Sequence, residues 1–181
     1  MPSWLTDKIR RVGGIVIVLG IGCIGCSGTA TNSPIASPPA VVESTELDFY
    51  SVDHYDKSRD PASDLAATIQ RAKTEKKNIL VQVGGDWCGW CKLMTQYINT
   101  NDRVRGLVGR NYLIMKVTFE SDQKNEAFLS QYPAIHGYPH LFVLDGDWKL
   151  LHSQDTSELE EGHGYSEETF LAFLEKWKPA K

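Results

Sequence analysis

The sequence has no marked excess of charge of either sign. Nineteen Lys and Arg against 23 Asp and Glu leave a net charge of −4 over 181 residues, which gives no sign of nucleic-acid binding. The uncharged run from Val12 to Ile24 falls short of the ~20 residues that span a bilayer comfortably. Cysteine is scarce: four residues form two pairs, Cys23/Cys26 and Cys88/Cys91. The gap between the pairs far exceeds the ~15–20 residues of a zinc ribbon. No histidine follows Cys91, where Lys92 stands, and this excludes covalent haem attachment. A G-x-G-x-x-G pattern from Gly20 to Gly25 lacks the following helix that a dinucleotide site requires, because Ser27 to Pro34 is a polar tract ending in proline. No cofactor is therefore expected. What remains is ordinary: 41% hydrophobic and 23% charged residues, typical of a globular protein with one core and extensions.

The N-terminal segment reads as a targeting signal. Lys8, Arg10 and Arg11 precede the Val12–Ile24 run, and Gly22 and Gly25 each stand before a cysteine. This length suits a signal-peptide hydrophobic region of ~7–15 residues. The pattern resembles a bacterial lipoprotein signal, which implies lipid on Cys26, with Cys23 as the alternative and an uncleaved anchor as the bland reading. Three residues before each cysteine, Gly20 and Cys23 stand where that signal prefers an aliphatic residue. From Ser27 to about Ser44 the chain is Ser, Thr, Ala and Pro with almost no charge, a composition suited to a tether. The expected division is a signal over 1–26, a tether and lead-in over 27–58, and a folded domain over 59–181. Within the lead-in, Leu47, Phe49, Val52 and Tyr55 point to a short strand or an ordered approach to the domain.

The organising stretch is Gly84-Gly85-Asp86-Trp87-Cys88-Gly89-Trp90-Cys91-Lys92. Before it, Asn78 to Val83 is apolar and β-branched, which predicts a buried strand. After it, Leu93, Met94, Tyr97 and Ile98 fall at helical spacing. Both cysteines thus lie in the first turn of a helix, close enough to exchange a disulfide. There the unpaired N–H groups and the positive dipole end favour a thiolate, and such sites lower a cysteine pKa from ~8.5 to ~3.5–7.5.

Trp87-Cys88-Gly89-Trp90-Cys91-Lys92 resembles the active-site motif of the thioredoxin superfamily. The resemblance covers roughly Asp60 to Lys178 and implies an α/β thioredoxin fold, a mixed sheet with helices on both faces. It implies Cys88 as an exposed attacking thiol and Cys91 as the buried resolving thiol, flanked by Trp87 and Trp90. Gly137-Tyr138-Pro139 resembles the loop that carries the family's cis-proline opposite the cysteines, with the backbone at Tyr138 free to pair with an extended substrate. Gln82 stands where thioredoxins often carry a buried aspartate that moves the proton of the second cysteine. Lys116 stands where its lysine partner often lies, though it also reads as a surface lysine at a strand end. Water, or one of the loop acids Asp86 and Glu120, is the alternative proton acceptor. The activity implied is a protein-disulfide reductase or isomerase, monomeric, extracytoplasmic and membrane-anchored, exchanging with protein thiols and a redox partner. Gly89-Trp90 is neither the Gly-Pro of typical thioredoxins nor the Gly-His of disulfide isomerases. The alternative is a non-catalytic module that binds peptides or a metal, the metal held by Cys88, Cys91 and His140. That metal reading is the weaker one, because the remaining histidines, His54, His136, His152 and His163, are scattered.

Elsewhere, Asp60-Pro61 predicts a helix start, with Leu65, Ala66, Ile69 and Ala72 as its apolar stripe, ending near Lys76-Lys77. Asn101 or Asp102 caps a second short helix. Tyr112 to Phe119 is a strand, and Asp122 opens a helix through Leu129. Leu141 to Leu144 is a strand joined by an Asp145-Gly146-Asp147 turn to a return strand over Trp148 to His152. Trp148 and the aromatic stripe of a last helix begun by Ser166 are assigned to the core.

Overall fold

The structure, a computed structural model, describes residues 48–119 and 125–180. The signal, the tether, Cys23, Cys26, Glu120 and Asp122 lie outside the described residues. Among those described, no helix is long and apolar enough to cross a membrane.

Strand β1 (Tyr50–Val52) is followed by helix α1 (Pro61–Glu75) and strand β2 (Asn78–Gly84). Helices α2 (Gly89–Thr100) and α3 (Asp102–Asn111) lead to strand β3 (Tyr112–Thr118). A short helix α4 (Glu126–Leu129) precedes strands β4 (His140–Leu144) and β5 (Leu150–Asp155). A 3-10 turn over Thr156–Leu159 and a small hairpin of β6 (Glu160–Glu161) and β7 (Gly164–Tyr165) come before the last helix, α5 (Glu167–Trp177).

Local chemistry explains these boundaries. The Asp60 side chain accepts from the Ala62 N–H at 3.1 Å, with Pro61 at the first helical position where its missing N–H is not needed. The helix stops at Lys76, whose left-handed backbone (φ 55°) turns the chain into β2. Asn101 is the residue that caps α3, accepting from the N–H groups of Arg103 and Val104. Ser166 occupies the cap position of α5, but its side chain makes no capping bond.

The sheet order is β1-β3-β2-β4-β5. β1, β3 and β2 are mutually parallel, whereas β4 runs antiparallel to β2 and β5 antiparallel to β4. The parallel part follows from the helical crossovers, which put helices on the sheet faces. Every residue of β2, β3 and β4 is buried, so side chains alternate between two cores. Leu80, Ile114, Leu141 and Val143 pack with Met94 and Ile98 of α2, Val108 of α3 and Phe170 and Leu174 of α5. On the opposite face Ile79, Val81, Met115 and Phe142 pack with Leu65 and Ala72 of α1 and Leu129 of α4. Each of these side chains larger than alanine contributes about 1.5–3 kcal/mol relative to exposure. Two buried polar links tie α5 to the sheet: Tyr112 Oη donates to the Leu174 carbonyl at 2.6 Å, and Asn78 Nδ2 to that of Trp177 at 2.9 Å.

The β4–β5 connection corrects the expected hairpin. The return strand begins at Leu150, not Trp148, and continues to Asp155. The Asp145 carboxylate accepts from the N–H groups of Asp147 and Lys149, both at 2.9 Å, and Trp148 takes a positive φ of 69°. That geometry turns the Trp148 ring out of the core, so it is 52% exposed.

Candidate functional site

Cys88 is the N-cap of α2, and Cys91 lies in its first turn. The two are joined as a disulfide with Cα atoms 5.2 Å apart. The Cys91 N–H donates to Cys88 Sγ at 3.1 Å. A capping position normally held by Ser or Asp is thus filled by sulfur. When the pair is reduced, this N–H and the dipole end of α2 favour negative charge on Cys88.

The expectation that Cys88 is exposed needs correction. It is 5% exposed and Cys91 fully buried, because Tyr55 joins the sulfurs in one cluster and Trp90 and Tyr138 pack against it. The strand leading in is shaped for that packing. A Cβ on Gly84 would lie 2.4 Å from Cys91 Sγ, and one on Gly85 would lie 2.4 Å from Trp87 Nε1. A side chain at Gly84 would have to displace the buried disulfide, and one at Gly85 would have to displace the Trp87 ring, which accounts for the Gly-Gly before the motif.

The Tyr138–Pro139 peptide bond is cis. The Thr156 hydroxyl donates to the Pro139 carbonyl and fixes this loop from the 3-10 turn. Trp87 is 55% exposed, and its Nε1 donates to the Phe119 carbonyl at 3.0 Å. Its ring meets Tyr138 edge-on at 5.5 Å, and Tyr138 stacks on Phe119 at 4.8 Å. Trp87, Tyr138 and Phe119 therefore form one aromatic patch beside the cysteines. Trp90 turns the other way, edge-on to Tyr165, whose hydroxyl donates to the Trp90 carbonyl at 3.3 Å.

Gln82 and Lys116 are direct register partners on β2 and β3, on the sheet face that α2 covers. Gln82 is fully buried, and neither its amide oxygen nor its nitrogen has a hydrogen-bond partner among the described residues. Lys116 is not a surface lysine. It is 7% exposed, its Nζ donates to the Asp53 carbonyl at 2.6 Å, and it lies over the rings of Tyr50 and Tyr55. Burial lowers its pKa, opposed by the charges of Asp53 and Asp86. A cleft of about 300 Å³ reaches Cys91 from this side, lined among others by Asp53, Tyr55, Asp86, Lys92 and Lys116.

His140 is not brought to the cysteines. It faces the α1 side of the sheet, with its ring against Phe142 at 4.7 Å and Nε2 2.8 Å from Ser153 Oγ. Strand alternation sends it away from α2. Among the described residues no group of three His, Cys, Asp or Glu side chains is placed to hold a metal. Tyr55 and Phe119 are site residues that sequence reasoning did not single out. The one available signal was the aromatic character of the lead-in, which carries no periodicity.

The profile of a thioredoxin-like family matches residues 60–146. Over 67% of this chain and 94% of the other, the structure is similar to a disulphide isomerase from Xylella fastidiosa Temecula1, with TM-score 0.58 and 21% identity. It is also similar to the oxidised C-terminal domain of DsbD from Neisseria meningitidis, covering 66% of this chain and 97% of that one, with TM-score 0.50 and 21% identity. The chain has the thioredoxin fold. A search of curated proteins found no match. Within this thioredoxin fold the Cys88–Cys91 disulfide sits at the junction of β2 and α2, an arrangement suited to redox catalysis.

Proposed function

We propose that this protein is a thiol–disulfide oxidoreductase that reduces or isomerises protein disulfides outside the cytoplasm. The observation that carries this reading is the Cys88–Cys91 disulfide at the N-terminus of α2, with the Cys91 N–H on Cys88 Sγ. Cys88 is the attacking thiol and Cys91 the resolving thiol. An extended substrate strand pairs with the backbone at Tyr138 beside cis-Pro139, its side chains resting on Trp87 and Tyr138. The similar Xylella fastidiosa structure is itself described as a disulphide isomerase. The substrates are protein disulfides, and a separate redox partner restores the dithiol. The protein works as a monomer, without metal or cofactor.

The test is insulin reduction by the protein in the presence of dithiothreitol. Precipitation well faster than with dithiothreitol alone is expected. No acceleration, with peptide binding retained, would make the domain a binding module instead.

The setting rests on the N-terminal pattern. A lipid on Cys26 and the tether from Ser27 to about Ser44 would hold the folded domain, whose sheet includes β1 (Tyr50–Val52) of the lead-in, at a membrane surface, on the oxidising side where disulfide chemistry operates. In a bacterial host, labelled fatty acid should enter the protein, and Cys26→Ala should prevent it. Loss of label with Cys23→Ala alone would move the lipid to Cys23, and no label on the unmutated protein would leave a plain anchor.

A further inference from the structure

We propose that the hydroxyl of Tyr55, from the segment after β1, donates a hydrogen bond to the Cys91 thiolate and so takes over part of the task for which Gln82 has no acid. This rests on the dithiol exchange proposed above. Three observations converge on one spot. The point where a Gly84 Cβ would stand is 2.4 Å from Cys91 Sγ and 3.0 Å from Tyr55 Oη, so sulfur and hydroxyl face the same small space. Tyr55 is 9% exposed and packs directly in the cluster formed with both cysteines. In the disulfide state its hydroxyl has no hydrogen-bond partner among the described residues, and neither amide atom of the neighbouring Gln82 has one there.

A buried hydroxyl without a partner costs about 1–3 kcal/mol, and a phenylalanine would fill the same space without that cost. A purely structural role therefore does not explain the oxygen. A disulfide sulfur is a weak acceptor, whereas a thiolate is a strong one, and bonds to ionised acceptors are roughly twice as strong as neutral ones. The hydroxyl gains its partner when Cys91 becomes charged. Lys116, over the Tyr55 ring and bonded to the Asp53 carbonyl, holds the ring in place. Burial raises the Tyr55 pKa, opposed by the Gln82 side chain, which lies near the hydroxyl without hydrogen-bond geometry, so the phenol keeps its proton and acts as a donor throughout.

The step then balances as follows. Cys91 releases its proton to water in the adjoining cleft, and its thiolate accepts from Tyr55 Oη–H. The Cys91 sulfur attacks Cys88 Sγ of the mixed disulfide. The Cys88–Cys91 bond forms and the Cys88–substrate bond breaks. The electron pair leaves on the substrate sulfur, which takes a proton from solvent. The cysteine pair is oxidised and the substrate disulfide reduced.

The experiment is an NMR titration of the isotope-labelled β-carbons of Cys88 and Cys91 in the reduced full-length protein. It is run on the unmutated chain, on Tyr55→Phe and on Gln82→Met. Tyr55→Phe should raise the Cys91 pKa by about one unit or more, leaving about ten-fold less thiolate at neutral pH. The Cys88 pKa should hardly move, and Gln82→Met should shift Cys91 less than Tyr55→Phe does. An unchanged Cys91 titration in Tyr55→Phe, or a larger shift in Gln82→Met, would overturn the proposal. The titration needs no turnover. Failed insulin reduction would remove the oxidoreductase reading while this measurement still decided the role of Tyr55.

Discussion

Cys88→Ser abolishes disulfide reduction, and Cys91→Ser accumulates long-lived mixed disulfides with substrate: this is the expected division between the two sulfurs. Its basis is their unequal position in α2. Cys88 caps the helix and receives the Cys91 N–H at 3.1 Å, so its thiolate is the better stabilised. Cys91 is fully buried under the same turn and reaches only the sulfur of Cys88 itself, once that sulfur carries the substrate. Without Cys88 there is no attack, and turnover should fall to the background rate. Without Cys91 the first exchange proceeds and the second cannot, so the covalent complex persists. Non-reducing gels followed by mass spectrometry read both outcomes. Trapping by Cys88→Ser, with none by Cys91→Ser, would reverse the assignment.

The second large effect is expected at Gln82. Gln82→Asp should accelerate the attack of Cys91 on the mixed disulfide near neutral pH and at the same time destabilise the domain. The position is fully buried, and its register partner across the sheet is Lys116. A carboxylate there supplies the proton acceptor that glutamine cannot. Lys116, however, is committed to the Asp53 carbonyl. Pairing with a new aspartate would draw it from that bond, and failing to pair would leave a buried charge. Breaking or omitting a buried pair costs roughly 3–5 kcal/mol. Burial should raise the pKa of the aspartate in the folded state above its unfolded value. The variant should therefore come closest to normal stability below about pH 4, and should lose stability as pH rises from there through the folded pKa. Rapid-mixing kinetics and thermal melts at acid and neutral pH check the pair. Unchanged resolution in a folded Gln82→Asp protein would show that the proton leaves by another route.

The strand–motif–helix arrangement around Cys88 and Cys91 could be read from the chain because all of its determinants are local. Apolar β-branched residues in Asn78–Val83 make β2, helical spacing from Leu93 to Ile98 makes the buried stripe of α2, and a separation of three puts both sulfurs in one turn. The Asp60-Pro61 start of α1 is local for the same reason, since a carboxylate two residues from a free N–H needs no tertiary partner. The alternation of helices and strands was enough to imply crossovers, hence a parallel core with helices on both faces.

Packing between distant segments decided the rest. The lead-in carries too few apolar residues to show a period, yet β1 docks on β3 and delivers Tyr55 to the sulfurs. Lys116 looked equally like a surface lysine because charge says nothing about which strand lies outside it; β1 does, and buries it. Hydrophobicity alone points Trp148 to the core, but the Asp145 carboxylate bonds of the turn set its backbone at positive φ and point it outward. His140 was set beside Cys88 and Cys91 by nearness in the sheet, and the two-residue period of β4 turns it to the far face. Cys88 was expected to be exposed from its place at a helix end; three aromatic side chains, Tyr55, Trp90 and Tyr138, come from separate elements to cover it. Spacing and capping act over a few residues and are written in sequence. Burial depends on which segments meet, and only the assembled sheet settles that.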